Sequence, residues 1–371
     1  MDMNSEYSNP RPEPRLRDTL RDDIQYHSHW QSFRKELKDL REFYIDAEKK
    51  KRLEAMSPVQ RAFHLSGWIL KSMLMRLTPL RRVLLVLGIV LTLLAGPRVS
   101  YQHVNIDFSN FTLPGAALIL LVLMLELKDK LLARDELVAG QKVQRSLMPE
   151  SSPFVPGWRL WIYSKPANEV GGDLIDYIPL GGDRYGLALA DVSGKGLQAA
   201  LIMAKLQAVL KGLAPDFDSI DQLIAKLNAI FHRDGLPNSF ASLVYAEISP
   251  QSGKVRYVNA GHLPPVLLTS GGLSETPKGD PALGLMSSTT YSLRESDLQP
   301  GDVFVVYSDG LTEASNEKGE FFGVERFLKR LAGMRNKSPE EIGRALLGEI
   351  EFFVKDAAPN DDLSLIIIQR L

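Results

Sequence analysis

Residues 171–195 read GGDLIDYIPLGGDRYGLALADVSGK, and this stretch decides how the second half of the chain folds. Two apolar, β-branched runs flank a Gly-Gly-Asp turn signal at 181–183, which predicts a β-hairpin. Folding the hairpin about Gly182 places Asp173 opposite Asp191 at its open end. Two carboxylates that close repel each other strongly in a low-dielectric site unless a cation or a proton intervenes. The hairpin is therefore predicted to hold a metal ion.

The composition of the whole chain excludes several functional classes. The 371 residues are enough for more than one domain, and an apolar content of 44% is sufficient for a large core. A net charge of -1 shows no basic bias, so no nucleic-acid partner is expected. Because the chain has no cysteine, disulfides, thiolate zinc sites and cysteine nucleophiles are excluded.

The first 79 residues are predicted to form a helical cytoplasmic region. Apolar residues recur there at steps of three and four, at Trp30, Phe33, Leu37, Leu40 and Tyr44. This spacing is typical of a coiled coil, which would make a homodimer, or of a helix packed on its neighbour within one chain. A basic amphipathic helix follows at Ser57-Pro58, an N-cap and first-turn pair, and such a helix suits a membrane surface.

Two uncharged apolar runs, 83–95 and 111–125, are predicted to form a transmembrane hairpin within residues 80–127. Each run is shorter than the roughly 20 residues of a usual span, so a buried pair of core helices is the alternative. The membrane interpretation rests on the lack of a polar face in both runs and on the lysines and arginines at their outer ends. That charge pattern predicts that both chain ends are cytoplasmic.

The second apolar run continues without a turn signal into a helix at 126–148 that ends at a proline. Residues 128–150 are therefore predicted to be a helical linker between the membrane hairpin and the domain that follows. The linker could carry a signal or pair with a second copy of the chain, because several of its apolar residues have heptad-like spacing. A passive tether is the alternative.

From residue 151 onward, strands and helices alternate. Strands are predicted at 159–164, 174–179, 185–191, 242–248, 255–260, 303–308 and 364–369, and helices at 196–211, 220–232, 324–331 and 339–354. Most of the strands are expected in hairpins, which favours antiparallel sheets. The predicted fold class is a layered α/β (α+β) domain at 151–371, an antiparallel β-sandwich flanked by helices, preceded by an all-α N-terminal region.

Further aspartates lie at the ends of two apolar strands. The run 303–307 leads to Asp309, and Asp361 and Asp362 precede the apolar run 363–368. One aspartate at such a position is usually a turn or cap residue, but four strand ends of this kind in one domain indicate a metal site. Oxygen ligands without cysteine or clustered histidine favour Mg²⁺ or Mn²⁺ over zinc. Two such cations serve both phosphate hydrolysis and nucleotidyl transfer, so both chemistries are open.

The chain from about residue 136 onward resembles the metal-dependent PPM-type serine/threonine protein phosphatases, in their bacterial SpoIIE-like branch that regulates sigma factors. Six motifs occur in the family's order: DELVAGQKVQRSLMP (135–149), VGGDLIDY (170–177), ADVSGKGLQAAL (190–201), YVNAGHLPP (257–265), VVYSDGLTEASN (305–316) and NDDLSLIII (360–368). The resemblance implies the PPM phosphatase fold and hydrolysis of phosphoserine or phosphothreonine by direct attack of water. The first 135 residues fall outside it.

The resemblance also implies a role for each acidic position. Asp191 would bridge two Mn²⁺ or Mg²⁺ ions, joined by the backbone carbonyl of Val192. Asp173 would serve the second ion or its water shell, and Asp309 with Asp361 would complete the first. Asp191 and Asp173 are thus the expected catalytic residues.

Three further polar residues have two interpretations each. Asp362 is the alternative to Asp361 as a ligand, although the family's ligand is the first residue of this pair. His262 could be a general acid, but its turn context favours a structural hydrogen bond. Lys195 could approach the substrate or simply cover the start of the next helix.

Together, the predicted membrane hairpin and the resemblance imply a membrane-anchored phosphatase in a bacterial partner-switching or stress-signalling pathway. The protein would be a multi-pass protein of the inner membrane with its phosphatase domain in the cytoplasm. Its partner would be a phosphorylated regulatory protein of the anti-sigma-factor antagonist type. A shift of the helix at 196–211, driven by the linker helix, is the expected regulatory change. The alternative is a catalytically inactive phosphatase-fold scaffold at the membrane, although none of the four aspartates is missing.

Overall fold

The computed structural model describes residues 52, 56–93, 99–101, 104–106, 111–149, 152–235 and 239–371. The predicted apolar stripe at 30–44 lies outside these ranges, so the homodimer that it suggests stays a prediction. The chain divides into two compact units, Met1–Asp129 and Lys130–Leu371.

The first unit contains α1 (Pro58–Arg76), α2 (Pro79–Leu93) and the beginning of α3 (Thr112–Leu147). α3 is one unbroken helix, which confirms that the second apolar run continues into the linker. Two short strands that the sequence did not predict, β1 (Val99–Tyr101) and β2 (Val104–Ile106), pair between α2 and α3.

α2 and α3 contact each other through glycine. A Cβ added to Gly88 would lie 3.0 Å from the carbonyl oxygen of Gly115, and one added to Gly115 would lie 2.8 Å from that of Gly88. Arg81 at the start of α2 forms ion pairs with Glu126 (2.8 Å) and Asp129 (2.7 Å) on α3. These contacts join the two apolar helices at their crossing point and at one end.

Within the described residues, one helical stretch is both long and apolar enough to cross a membrane, namely Leu197–Asp216. It belongs to the second unit and buries one face in the core there, so it is a core helix. α2 has 15 residues, and α3 becomes charged from Glu126 onward. Neither reaches the same limit, and the transmembrane hairpin stays a prediction.

The second unit consists of two sheets between layers of helices. Its strands are β3 (Trp158–Lys165), β4 (Asp173–Gly181), β5 (Arg184–Val192), β6 (Ala241–Ile248), β7 (Lys254–Ala260), β8 (Val266–Thr269), β9 (Gly272–Glu275), β10 (Arg294–Asp297), β11 (Val303–Tyr307) and β12 (Leu363–Arg370). Its helices, after the end of α3, are α4 (Leu197–Leu213), α5 (Ile220–Asp234), the single turn α6 (Asp309–Thr312), α7 (Val324–Ala332) and α8 (Pro339–Val354).

Both sheets are antiparallel. The first has the order β10-β7-β6-β5-β4 and the second the order β3-β12-β11-β8-β9. The predicted fold class, an antiparallel β-sandwich flanked by helices, is confirmed. The short strands β8, β9 and β10 and the turn of helix α6 were not predicted.

Alternate residues of each strand pack into different layers of the core. In β4, Leu174 and Ile178 pack against α4 and α5, whereas Ile175 packs between the two sheets. In β12, Ile366 packs between the sheets and Ile367 packs toward α7 and α8. Because both faces are covered, the central strands are apolar almost throughout. Each fully buried aliphatic side chain contributes about 1.5–3 kcal/mol, which fixes the strand ends firmly.

The β4–β5 hairpin has the predicted register. Asp173 pairs with Asp191, and the pairing continues without a shift along most of the hairpin. Gly182 and Asp183 at the turn have φ angles of 57° and 60°, as in a type I′ turn, whose twist matches that of the flanking strands. The turn therefore fixes the position of the two aspartates at the other end.

Candidate active site

Asp173 and Asp191 lie opposite each other at the open end of the hairpin. Asp173 is only 3% exposed, and its Oδ2 is buried without a hydrogen-bond partner. Burial raises the pKa of Asp173 well above its usual range, and the negative charges of Asp191 and Asp362 add to the rise. A buried carboxyl oxygen of this kind needs a proton or a cation.

Asp309 and Asp361 reach the same edge from the second sheet. Asp309 begins α6, two residues after β11, and Asp361 lies two residues before β12. β11 and β12 are neighbours, so the end of one is next to the start of the other. Gly310 allows the close approach, because a Cβ at this position would overlap the carbonyl oxygen of Asp362. We call the edge formed by Asp173, Asp191, Asp309 and Asp361 the aspartate rim.

The carboxylates of the aspartate rim affect one another's charge. The pKa of Asp191 is raised to about 7, first by burial and then by the negative charges of Asp309, Asp361 and Asp362. Burial and the charge of Asp361 likewise raise the pKa of Asp309. Such repulsion destabilises a protein unless protons or cations compensate it.

The aspartate rim has the donor chemistry for hard divalent cations. Among the described residues, no three acidic or histidine side chains converge into a ready metal-binding group. All four candidate side chains nevertheless offer carboxylate oxygens, and Oδ2 of Asp173 has no other partner. The carbonyl oxygen of Val192 lies beside the rim, 3.2 Å from where a Cβ on Gly172 would be. The residues therefore fit Mg²⁺ or Mn²⁺, and their assignment as ligands stays a prediction.

Asp362 is occupied by structural hydrogen bonds. Its carboxylate accepts from the backbone N–H groups of Ala167 (2.7 Å), Gly172 (2.5 Å) and Asp173 (3.3 Å). Gly171 leaves room for the carboxylate, since a Cβ there would lie 2.6 Å from Oδ2 of Asp362. Asp362 thus positions the start of β4, and this role supports its neighbour in the sequence as the ligand. Sequence reasoning did not predict this positioning role of Asp362, although the two glycines before Asp173 indicate a close contact with the backbone there.

Lys195 joins two loops of the aspartate rim. Its Nζ lies 2.8 Å from Oδ2 of Asp361 and donates a second hydrogen bond to the carbonyl oxygen of Asn360, at 2.7 Å. The hydrogen bond with Asp361 raises the pKa of Lys195. This contact was not predicted, and the two predicted roles of Lys195, approach to a substrate or cover for a helix start, stay predictions.

His262 is a buried structural residue. Its Nδ1 lies 2.6 Å from Oγ of Ser242, and its Nε2 lies 3.1 Å from the carbonyl oxygen of Tyr307. The backbone N–H of His262 donates to Oδ1 of Asn259. Burial lowers the pKa of His262 to about 4, so the ring is neutral near pH 7. These contacts support the structural interpretation and not the general acid.

The end of α3 is hydrogen-bonded to the elements that carry the aspartate rim. Gln144 is buried, and its side chain donates to the carbonyl oxygen of Gly171 (2.6 Å) and accepts from its N–H (3.0 Å). On α4, Gln207 donates to the carbonyl oxygen of Leu147 (2.6 Å) and to Asp176 on β4 (2.8 Å). Sequence reasoning did not identify Gln144 or Gln207.

A comparison with protein families identifies this domain. Residues 181–371, slightly more than half of the chain, match the family described as Stage II sporulation protein E, or SpoIIE. The chain belongs to the SpoIIE family.

Individual relatives agree with membership of the SpoIIE family. Protein IcfG of a Synechocystis strain is 29% identical over 276 residues, which cover 66% of this chain and 43% of IcfG. Phosphoserine phosphatase RsbU of Bacillus subtilis is 24% identical over 239 residues, covering 64% of this chain and 70% of RsbU. This chain therefore spans less than half the length of IcfG.

A solved structure shows the same fold. The SiaA-PP2C domain of Pseudomonas aeruginosa superimposes with a TM-score of 0.58 at 21% identity, covering 66% of this chain and 98% of that domain. The second unit thus has the PP2C (PPM) phosphatase fold. The predicted SpoIIE-like family and its fold are confirmed, and the relative that is a phosphoserine phosphatase supports the predicted enzyme class.

Proposed function

We propose that this chain is a metal-dependent phosphatase that removes phosphate from phosphoserine or phosphothreonine on a regulatory protein. The observation that carries the proposal is the aspartate rim, where four aspartates lie along one edge of a SpoIIE-family domain. Burial, together with the negative charges of Asp309, Asp361 and Asp362, raises the pKa of Asp191 there to about 7. Two relatives that are phosphoserine phosphatases, RsbU and RsbP of Bacillus subtilis, support this class of reaction.

In the proposed site, Asp191, Asp309, Asp361 and the carbonyl oxygen of Val192 would hold two Mn²⁺ or Mg²⁺ ions, and Asp173 would serve the second ion or its water shell. Bound divalent cations supply positive charge for the phosphoryl oxygens and lower the pKa of a water molecule. The carboxylates repel one another when no ion is present, so ion binding would relieve that repulsion. Water adds to phosphorus, the seryl or threonyl oxygen leaves with a proton, and inorganic phosphate is released without a phosphorylated enzyme.

The proposed partner is a phosphorylated protein of the anti-sigma-factor antagonist type, in a partner-switching or stress-signalling pathway. The resemblance of the six sequence motifs to the SpoIIE-like branch that regulates sigma factors suggests this partner, and membership of the SpoIIE family agrees with that resemblance.

The proposed location is the bacterial inner membrane, with a multi-pass anchor and both termini in the cytoplasm. Large apolar side chains of α2 and α3 support it, because many of them are exposed among the described residues of the first unit. Exposed fractions are 70% for Leu80, 64% for Val83, 79% for Leu93, 82% for Leu113 and 59% for Leu123. Such a surface is unfavourable in water and favourable in hydrocarbon. The glycine contact between the two helices is a second support, since small residues let membrane helices approach closely.

The proposed regulation acts through α3. Its hydrogen bonds to Gly171 and Gln207 support the proposal, since a displacement of α3 would disturb the start of β4 and the helix that follows Asp191. Pairing of two chains through their N-terminal and linker helices is one way to displace α3. Deleting residues 1–135 should change metal affinity or turnover, and no change in either would contradict regulation by this route.

The experiment that tests the function is hydrolysis of p-nitrophenyl phosphate by the full chain in detergent, with and without Mn²⁺. The wild type should release phosphate only with Mn²⁺. Asp191→Asn should lose at least about 100-fold in rate, because even residues outside the first coordination shell contribute about 10- to 100-fold.

A matched control is Asp183→Asn at the opposite end of the same hairpin. Asp183 is exposed and in a left-handed conformation that asparagine tolerates, so this variant should keep full activity. Full activity in Asp191→Asn would contradict the proposal. A wild type that is inactive with Mn²⁺ would favour the alternative, a phosphatase-fold scaffold.

A further inference from the structure

We propose that a cavity beside the aspartate rim binds the polypeptide that flanks the phosphorylated residue of the substrate. An apolar side chain would enter the cavity, and an acidic side chain would bind at its mouth. The cavity, which we call the flanking cavity, has a volume of about 260 Å³ and is lined by residues of β3, α8 and the start of β12. This inference rests on the proposed phosphatase function and names how the substrate protein is recognised.

The flanking cavity is continuous with the aspartate rim. Asp361 belongs to both, and Gly310, the residue after Asp309, forms part of the cavity wall. An extended chain advances about 3.3–3.6 Å per residue. A substrate whose phosphorylated residue is at the rim would therefore place a side chain within about two or three residues of it in the cavity.

The inner wall of the flanking cavity is apolar. Ala314, Leu347, Ile350 and Val354 line it, and Ile350 and Ala314 are buried members of the core beneath α8. The volume is below the roughly 300–1,000 Å³ of sites for small molecules and cofactors. It suits a single aliphatic side chain, whose transfer from water would favour binding in proportion to the apolar area covered.

The mouth of the flanking cavity carries unpaired positive charge. Lys165, at the end of β3, and Lys355, after α8, both line the cavity and are exposed. In the part of the chain that the structure describes, neither ammonium group has an ion-pair partner within 4.0 Å. Two acidic residues also line the cavity, but Asp361 is paired with Lys195. Glu351 is therefore the acidic residue of the lining that is left to offset the charge of two lysines, and an acidic side chain of the substrate would complete the charge balance.

The backbone of Lys355 is a second observation at this mouth. Its φ of 54° and ψ of -120°, at the C-cap of α8, belong to a region that residues with a Cβ rarely adopt. Glycine holds such a cap conformation at lower cost, so a lysine here reduces stability. Strained positions of this kind are concentrated at functional sites. The strain supports a binding role for the Lys355 side chain.

The test compares phosphoserine peptides as substrates of the full chain in detergent with Mn²⁺. Each peptide is alanine-rich, with leucine and either glutamate or lysine placed at positions one to three residues from the phosphoserine. For at least one placement of leucine, the wild type should hydrolyse the glutamate peptide with a kcat/KM at least about fivefold higher than that of the otherwise identical lysine peptide. p-Nitrophenyl phosphate, which has no flanking residues, serves as the reference substrate in every assay.

Reversing the charge of the two lysines tests whether they cause the preference for glutamate peptides. The double variant Lys165→Glu, Lys355→Glu should favour lysine peptides over glutamate peptides while its activity on p-nitrophenyl phosphate stays unchanged. Lys278→Glu, an exposed lysine that does not line the cavity, is the matched control and should keep the glutamate preference. A reversed preference cannot come from misfolding, which would lower all rates together. Ala357→Leu, which adds bulk to the cavity wall, should remove the leucine preference.

The possible failures are distinguishable. If the wild type hydrolyses p-nitrophenyl phosphate but treats all peptides alike, or if the double variant keeps the glutamate preference, the flanking cavity is not the recognition site and the proposed function still stands. If the wild type hydrolyses neither p-nitrophenyl phosphate nor any peptide with Mn²⁺, the proposed function itself is wrong, and the inference fails with it.

Discussion

Asp191 faces Asp173 across the β4–β5 hairpin, close enough for its charge to add to the rise that burial causes in the pKa of Asp173. Both carboxylates are held by a fully packed sandwich, so the fold cannot relax to separate them. The ion-free domain therefore contains a repulsion that should be measurable.

Asp191→Asn should stabilise the ion-free protein to a degree that depends on pH. The folded-state pKa of Asp191, about 7, exceeds its ordinary value of 3.8, so the wild type loses stability as the pH rises from about 4 to about 7. Asparagine does not ionise. The advantage of the variant should grow over this range and then level off at about 1–3 kcal/mol, or several degrees in Tm. Thermal unfolding in EDTA measures it, and a variant less stable than the wild type at pH 8 would refute the repulsion.

Mn²⁺ should offset this difference in stability. A ligand that binds only the folded state at about 100 times its Kd adds about 2.7 kcal/mol, so the Tm of the wild type should rise by several degrees. Asp191→Asn should respond much less, because it lacks the carboxylate proposed to contact both ions. Equal shifts in the two proteins would place ion binding elsewhere in the chain.

Asp361 and Asp362 should differ sharply when each is changed to asparagine. Asp362→Asn disturbs a buried carboxylate that accepts three backbone hydrogen bonds, so it should cost about 2–4 kcal/mol of unfolding free energy. Asp361→Asn should change stability by less than about 1 kcal/mol, since its ion pair with Lys195 is exposed to solvent. It should nevertheless lose Mn²⁺-dependent hydrolysis. The opposite pattern would assign the ligand role to Asp362.

His262→Gln should lower stability without removing a catalytic proton. The change breaks contacts to Ser242 and Tyr307 in a buried site, which should cost about 1–3 kcal/mol. The pH dependence of kcat, measured well below the Tm, should keep its shape, because the wild-type ring is neutral over the working range. Loss of one limb of the pH profile would restore the general-acid interpretation.

Gln144→Met should reduce hydrolysis of p-nitrophenyl phosphate by about 10-fold, because it leaves both backbone groups of Gly171 unpaired beside the start of β4. Gln222→Met, at an exposed position on α5, is the matched control and should leave the rate unchanged. Equal rates in the two variants would show that the contact made by Gln144 on α3 does not influence the aspartate rim.

Local patterns in the sequence predicted the hairpin and the strand ends well. The opposition of Asp173 and Asp191 follows from a two-residue turn and strict alternation, which are both local. Asp309 was predicted because it follows an apolar strand, and that strand can be predicted from its own residues alone. The short strands β8, β9 and β10 were not predicted, because each has only four residues, too few to show a periodicity.

Contacts between distant segments could not be predicted in this way. Asp362 and Gly172 are 190 residues apart, and no spacing rule indicates that one accepts a hydrogen bond from the other. The same holds for the contact between Lys195 and Asp361. Both contacts depend on the packing of the two sheets, which is a property of the whole domain and not of any window of sequence.

The hydrogen bonds of Gln144 with Gly171 and of Gln207 with the carbonyl oxygen of Leu147 have a practical consequence for isolating the domain. A fragment that begins at residue 151 would lack both, leaving the N–H and carbonyl of Gly171 and one donor contact of Gln207 unsatisfied. A fragment that begins at Lys130 keeps them and still omits the apolar runs of α2 and early α3. Rates measured on the shorter fragment would thus describe a domain that lacks these hydrogen bonds. A lack of activity in that fragment would not show that the intact chain is inactive.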